Sequence, residues 1–230
     1  MILPLGDMPN PRGTPFVTYA LIAVNAAVWL YQASLGDAAT DFVYSYAVIP
    51  FRFLELFPRD PVELLTPVFA MFMHGGWLHI LGNMLYLYIF GDNVEDMLGR
   101  GRFLGFYLAC GVVSFLVQIA FASRSMVPNV GASGAIAGVL GAYFVLFPRA
   151  RVLTLIPLFV FFPLVEIPAY FFLGFWFLIQ FLSGAASLGQ SSDLSGGVAW
   201  WAHIGGFVAG IVLLKMLLPA GAPRRPTVVS

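Results

Sequence analysis

A chain of 230 residues that is 60% hydrophobic and only 10% charged cannot build a water-compatible surface, since soluble domains carry about 25% charged residues. Its mean hydropathy of +0.89 excludes a soluble globular domain, and its formal net charge of zero gives no footing for nucleic acid. The chain reads as an integral membrane protein, and its single cysteine, Cys110, excludes an intrachain disulfide framework.

A membrane-crossing helix needs roughly 20 mostly apolar residues. Six segments approach that measure: 15–35, 77–91, 103–122, 131–147, 165–183 and 199–218. The expected fold class is an all-α polytopic bundle of six transmembrane helices. Residues 1–14 are expected to be a short cytoplasmic N-terminus, 15–218 the membrane domain and 219–230 a cytoplasmic tail. The first span, Phe16 to Leu35, is too long for a signal-peptide core and has no convincing cleavage site, so it is read as uncleaved.

Two connections stand out. Residues 36–74 form a long first loop in which Asp37, Asp41, Arg52, Glu55, Arg59, Asp60 and Glu63 alternate with aromatic residues. That mixture suits an amphipathic segment lying at the membrane surface. Val152 to Leu182 is an apolar run of 31 residues, and as one helix it would reach about 46 Å against a hydrocarbon core of roughly 30 Å. Pro157, Pro163 and Pro168 interrupt it and Glu166 would be costly at mid-membrane. Residues 151–163 are therefore expected to dip into the interface, with the fifth span starting near Glu166 as a solvated end residue.

Lys and Arg set the orientation. With the N-terminus inside, Arg12, Arg100, Arg102, Arg149, Arg151, Lys215, Arg224 and Arg225 fall inside; Arg52, Arg59 and Arg124 fall outside. Both termini are then cytoplasmic, and the starts of spans two, four and six face outward. The compact chain, read without a targeting extension, points to a prokaryotic plasma membrane.

Polar groups inside a bilayer are expensive and mark function. Four lie at one predicted depth: His79 and Asn83 in "HGGWLHILGNM", Ser133 in "GASGA" and His203 in "AHIGGFVAG". His79 and Asn83 are four apart and share a helix face. A serine nucleophile needs a base, usually histidine, and donors aimed at its oxyanion. Ser133 and His203 fit as nucleophile and base; His79, Asn83 and the Ser133 N–H fit as oxyanion donors. Small residues at Ser133, Ala137 and Gly141, and at Ala202, Gly206 and Gly210, are expected to bring spans four and six into close contact. His74 lies off the His79 face and reads as structural. Each residue also has a bland use, in packing or interhelical bonding, so the weight rests on the set. The sequence holds no HExxH zinc motif, and "GASGA" departs from the GxSxG elbow at Ala135. No cofactor or metal is called for.

In that order, on three spans, the motifs "HGGWLHILGNM", "GASGA" and "AHIGGFVAG" resemble the rhomboid family of intramembrane serine proteases. The resemblance covers nearly the whole chain. It implies a rhomboid-like six-helix bundle with a long interfacial first loop and a water-filled cavity open to the outer side. It also implies a Ser133–His203 dyad without a catalytic Asp, with His79 and Asn83 at the oxyanion hole. The expected partners are single-span transmembrane substrates and the lipid bilayer, with no nucleic acid; no oligomeric state is specified. Two features depart from the pattern: Ala137 stands where some members stack an aromatic ring on the histidine, and the first loop lacks a Trp-Arg pair. The histidine must then be oriented by another residue, from a neighbouring span. Competing classes are a non-catalytic rhomboid-like client-binding protein and a small transporter. The transporter would need polar groups along a path rather than gathered near one face.

Overall fold

The computed structural model describes residues 3–8, 10–157, 161–188 and 199–219. Among them, nine α-helices and three strands follow in the order β1 (Leu3–Met8), α1 (Phe16–Ser34), α2 (Ala39–Tyr46), α3 (Pro50–Leu56), α4 (Pro61–Ala70), α5 (Trp77–Leu98), α6 (Arg100–Phe121), α7 (Ser133–Leu146), β2 (Arg151–Leu155), β3 (Leu164–Pro168), α8 (Ala169–Ser187) and α9 (Trp200–Leu217). The expected tail 220–230, with Arg224 and Arg225, lies outside the described residues. Helices α1, α6, α8 and α9 are each long and apolar enough to cross a membrane. Helix α7 has only 14 residues, about 21 Å at 1.5 Å per residue, and every residue from Gly134 to Tyr143 is buried. It is the central post of the bundle.

The sequence places the second span at 77–91, but α5 continues to Leu98. Its last two turns carry Asp92, Asn93, Glu95 and Asp96, which a hydropathy reading ends on. Glu95 is buried, and its carboxylate accepts from the Val17 N–H (3.0 Å), the Thr18 N–H (2.8 Å) and the Thr18 hydroxyl (2.8 Å). It thus satisfies N–H groups that an α-helix leaves free at its start and meets the positive end of the α1 dipole. Gly99, at φ +78, then turns the chain straight into α6.

The all-α expectation needs correction. Residues 151–155, within the segment 151–163 expected to dip into the interface, form a strand, and the fifth long helix starts at Ala169, close after the expected Glu166. Strand β2 pairs antiparallel with both β1 (Leu3↔Leu155, Met8↔Arg151) and β3 (Arg151↔Pro168, Leu155↔Leu164). Prolines 157, 163 and 168 bar a helix here, and the β-branched Val152, Thr154, Val165 and Ile167 fit a pleated ladder. Residues 158–160, part of the expected dip, lie outside the described residues. Glu166 is an exposed strand residue paired with Arg151 at 3.1 Å. The N-terminal segment is a strand of this sheet, tied down by Asp7, which accepts from Asn93 Nδ2 (2.9 Å) and from the Tyr143 hydroxyl.

The first loop is largely helical, with a 3₁₀ turn at Gly36–Ala38 followed by α2, α3 and α4. Asp60 caps α4 by accepting from the Val62 N–H at 2.9 Å, with Pro61 in the first turn. Not all of its charges face outward. Glu63 is buried and paired with Arg52 at 2.6 Å, and Arg52 also donates to the carbonyls of Tyr44 and Ala47. Burial raises the Glu63 carboxyl above its ordinary pKa, while Arg52 pulls the other way.

Helices α7 and α9 meet backbone to backbone. A Cβ added at Gly206 would lie 2.0 Å from the Gly134 carbonyl oxygen, and one at Gly210 would lie 2.0 Å from that of Gly138. One at Gly141 would lie 2.2 Å from the Phe207 carbonyl oxygen. The α9 stripe is as the sequence suggests, but the α7 stripe is displaced by one residue. Gly134 and Gly138 join Gly141 at the closest approaches, where Ser133 and Ala137 were expected beside Gly141; Ala137 still packs within the seam, and the Ser133 side chain lies off the tightest line of contact. Gly206→Ala is therefore expected to lower stability by about 1–3 kcal/mol. Gly105→Ala, where nothing lies within 4 Å, should be neutral or stabilising; reversible unfolding in detergent compares the two.

Candidate active site

Ser133 is the first residue of α7, and His203 lies in the first turn of α9. Because the two helices touch through glycine, these short side chains meet: His203 Nε2 is 2.9 Å from Ser133 Oγ. Both are half-buried, while Ala132, Gly134 and Ala202 around them are buried. A hydroxyl and an imidazole in hydrogen-bond contact within an apolar bundle can transfer a proton.

The loop before Ser133 is held from the first loop. Val48 and Asn129 exchange backbone hydrogen bonds at 3.2 and 2.8 Å, and the Gly131 N–H donates to the Ala70 carbonyl at 2.8 Å. Asn129 Nδ2 adds bonds to the carbonyls of Val48 and Val127. Gly131 sits at φ +127, a backbone that L-residues rarely adopt. A Cβ there would lie 2.8 Å from both Cε1 and Nε2 of His79 and 3.6 Å from Asn83 Nδ2. The His79 ring and the Asn83 amide therefore face the Gly131 backbone, two residues before the serine.

Ser133 and His203 are thus in direct contact, and His79 and Asn83 face the backbone two residues before the serine. His79 Nδ1 accepts from the Gly75 N–H at 3.2 Å, so a neutral ring carries its proton on Nε2, the side toward Gly131. Asn83 Nδ2 is buried and has no hydrogen-bond partner among the described residues. These two donors face the Gly131 backbone, just before the N-terminus of α7, where a helix leaves its first N–H groups without intrahelical partners. His74 is fully buried, its backbone clamped by Gln32 (Gln32 Nε2 to His74 O 2.8 Å; His74 N to Gln32 Oε1 3.3 Å). Its ring packs edge-on against His79 with centroids 5.1 Å apart. Its structural reading fits, though it supports the site directly.

The histidine's support comes from α8. Gln180 Oε1 lies 2.7 Å from His203 Nδ1, and the Trp176 ring, one turn earlier, lies 5.9 Å from the imidazole, tilted by 36°. Trp200 adds an edge contact at 6.3 Å. The start of α9 is fixed from α6, where Gln118 Oε1 accepts the Ala202 N–H at 3.2 Å. Sequence reasoning passed over Gln180, although a lone amide in "FWFLIQFL" was itself a signal. Ala137 is fully buried in the seam, 3.3 Å from where a Gly206 Cβ would stand, and leaves no room for an aromatic.

Helical bundle and apolar surface together define a multi-pass membrane protein. A family model described as "Rhomboid domain" matches residues 61–220, and the chain belongs to the rhomboid family. It is 28% identical over 202 residues to the mitochondrial Rhomboid protein 1 of Saccharomyces cerevisiae, covering 85% of this chain and 51% of that protein. It is 33% identical over 164 residues to Presenilin-associated rhomboid-like protein A, mitochondrial, of Danio rerio, covering 67% of this chain and 38% of the relative. It is 34% identical over 132 residues to Rhomboid protease GluP of Bacillus subtilis, covering 57% and 24%. The chain thus spans about half or less of the length of these relatives. They are mitochondrial and bacterial alike, which reduces the expected prokaryotic plasma membrane to the coarser statement of a multi-pass membrane protein.

Gly131→Ala forces a Cβ into the His79 ring from a left-handed backbone. It is expected to cost about 1–3 kcal/mol, read as a lowered unfolding midpoint in detergent.

Proposed function

We propose that this chain is an intramembrane serine endopeptidase that cuts single-span membrane proteins within or beside their transmembrane segments. The observation that carries the reading is the 2.9 Å contact between Ser133 Oγ and His203 Nε2, bordered by the His79 and Asn83 donors. The name of the GluP relative, a rhomboid protease, is in keeping with it.

In this reading Ser133 Oγ attacks the scissile carbonyl carbon as His203 Nε2 takes the hydroxyl proton. The oxyanion is met by His79 Nε2–H, the Asn83 amide and the Ser133 N–H. His203 gives its proton to the departing amine, the C–N bond breaks and an ester of Ser133 remains. Water, deprotonated by the same imidazole, hydrolyses the ester and returns the proton to Ser133. No cofactor enters. A substrate helix hides its carbonyls in its own hydrogen bonds, so it must unwind locally to present one.

The membrane domain in this reading is residues 15–218 with six spans, α1, α5, α6, α7, α8 and α9. Segments 1–14 and 219–230 lie on the cytoplasmic side, where lysine and arginine concentrate. Helix α7 is shorter than the hydrocarbon core, so Ser133 lies below the outer surface, and water must reach it from that side. A non-catalytic client-binding role needs no hydroxyl in contact with an imidazole.

Purified protein in detergent, with a labelled transmembrane substrate, tests the proposal. Ser133→Ala and His203→Ala should each abolish cleavage; wild-type rates in either would end the reading. Asn83→Ala should slow turnover by about 10²–10³. A serine-directed fluorophosphonate should label Ser133 and no other residue.

A further inference from the structure

We propose that Gln180 is a positioning residue that fixes the tautomer of the His203 ring, so that a neutral amide from α8 completes the Ser133–His203 pair. The inference rests on the reading of Ser133 as nucleophile and His203 as base.

The ring is held at its two nitrogens from two different helices. Nε2 faces Ser133 Oγ on α7 at 2.9 Å, and Nδ1 faces Gln180 Oε1 on α8 at 2.7 Å. A neutral imidazole has one N–H and one lone pair, and their placement decides whether it can act as a base. An amide oxygen only accepts, so Nδ1 must carry the proton and Nε2 keeps the lone pair that receives the serine proton. The amide's orientation is fixed by its other end: Gln180 Nε2 donates to the Trp176 carbonyl at 3.4 Å. Turned over, the amide would set its oxygen against that carbonyl. It would then offer Nδ1 a donor and force the proton onto Nε2, where it would block the serine.

The choice of an amide follows from the surroundings. Gln180 is only 7% exposed and sits on a helix whose other residues nearby are Phe175, Trp176, Phe177, Leu178, Ile179 and Phe181. A carboxylate there would have to be desolvated beside a resting, neutral imidazole, whereas an amide accepts the same bond without a charge. Trp176 holds the plane of the ring by contact and Gln180 holds its proton by hydrogen bond, both from one turn of α8. This pair does what an aromatic at position 137 cannot, because Ala137 is committed to the α7–α9 seam.

Gln180→Met keeps the length and apolar volume of the side chain and removes the acceptor. In the full chain in detergent it is expected to lower kcat about 10- to 100-fold, part of the roughly 10²–10⁴ that a positioned base supplies, with KM within about twofold. A kcat within twofold of wild type would overturn the proposal. The ring itself is read by ¹⁵N NMR of histidine-labelled protein, with His203 assigned by comparison with His203→Ala. The wild type should show the Nδ1–H tautomer and Gln180→Met a mixture. A wild-type ring protonated on Nε2 would overturn the proposal whether or not the variant folds. Wild-type protein that neither cleaves substrate nor takes the fluorophosphonate at Ser133 would instead defeat the parent reading, while the NMR result would still report on the Gln180 bond.

Discussion

Two helices touching through bare backbone set the terms for the site. Side chains of ordinary size hold helix axes 8–10 Å apart, and at that separation a serine and a histidine on facing helices fall short of each other. Glycines 134, 138 and 141 on one side, and 206 and 210 on the other, remove the intervening carbons. Ser133 and His203 can then meet at 2.9 Å. In a lipid surrounding there is little hydrophobic drive to hold helices together, so such contact rests on close packing. The same feature thus supplies cohesion and geometry.

That contact would be useless if its two members were free to turn. Ser133 is held through the preceding loop, which is stitched to the first loop at Val48 and Ala70. His203 is held from α6 through Gln118 at the helix start and from α8 at the ring. His79 is steadied by the Gly75 N–H and by His74, itself clamped from α1 by Gln32. The side chains of Gln32, Gln118 and Gln180 are each spent on orienting another group. Burial makes that economical, because each such group had to find a partner in any case.

Much of this was legible in the sequence for one physical reason: polar residues are rare in an apolar span, so Ser133, His203, His79 and Asn83 announce themselves. Gln180 met the same criterion and was missed because it stands in no motif. The stripe on α7 was read one residue out of phase because "SGAIAGVLGA" offers small residues in two registers, and only the partner helix decides between them. The last turns of α5 were lost because their carboxylates look like a span's end; Glu95 is there to cap a helix 77 residues away. The sheet was invisible for a related reason. Its strands β2 and β3 lie inside a long apolar run, and the strand that organises them, β1, is at the opposite end of the chain.

That last separation has a temporal meaning. A chain leaves the ribosome from its N-terminus, so Leu3 to Met8 emerges well before Arg151 to Leu155, the strand it must pair with. Until residues 151–155 are made, β1 lacks its ladder partner, and contacts this distant in sequence are slow to form. The β1–β2 pairing therefore waits for the segment after α7, and it ties the stretch before α1 to the connection between α7 and α8.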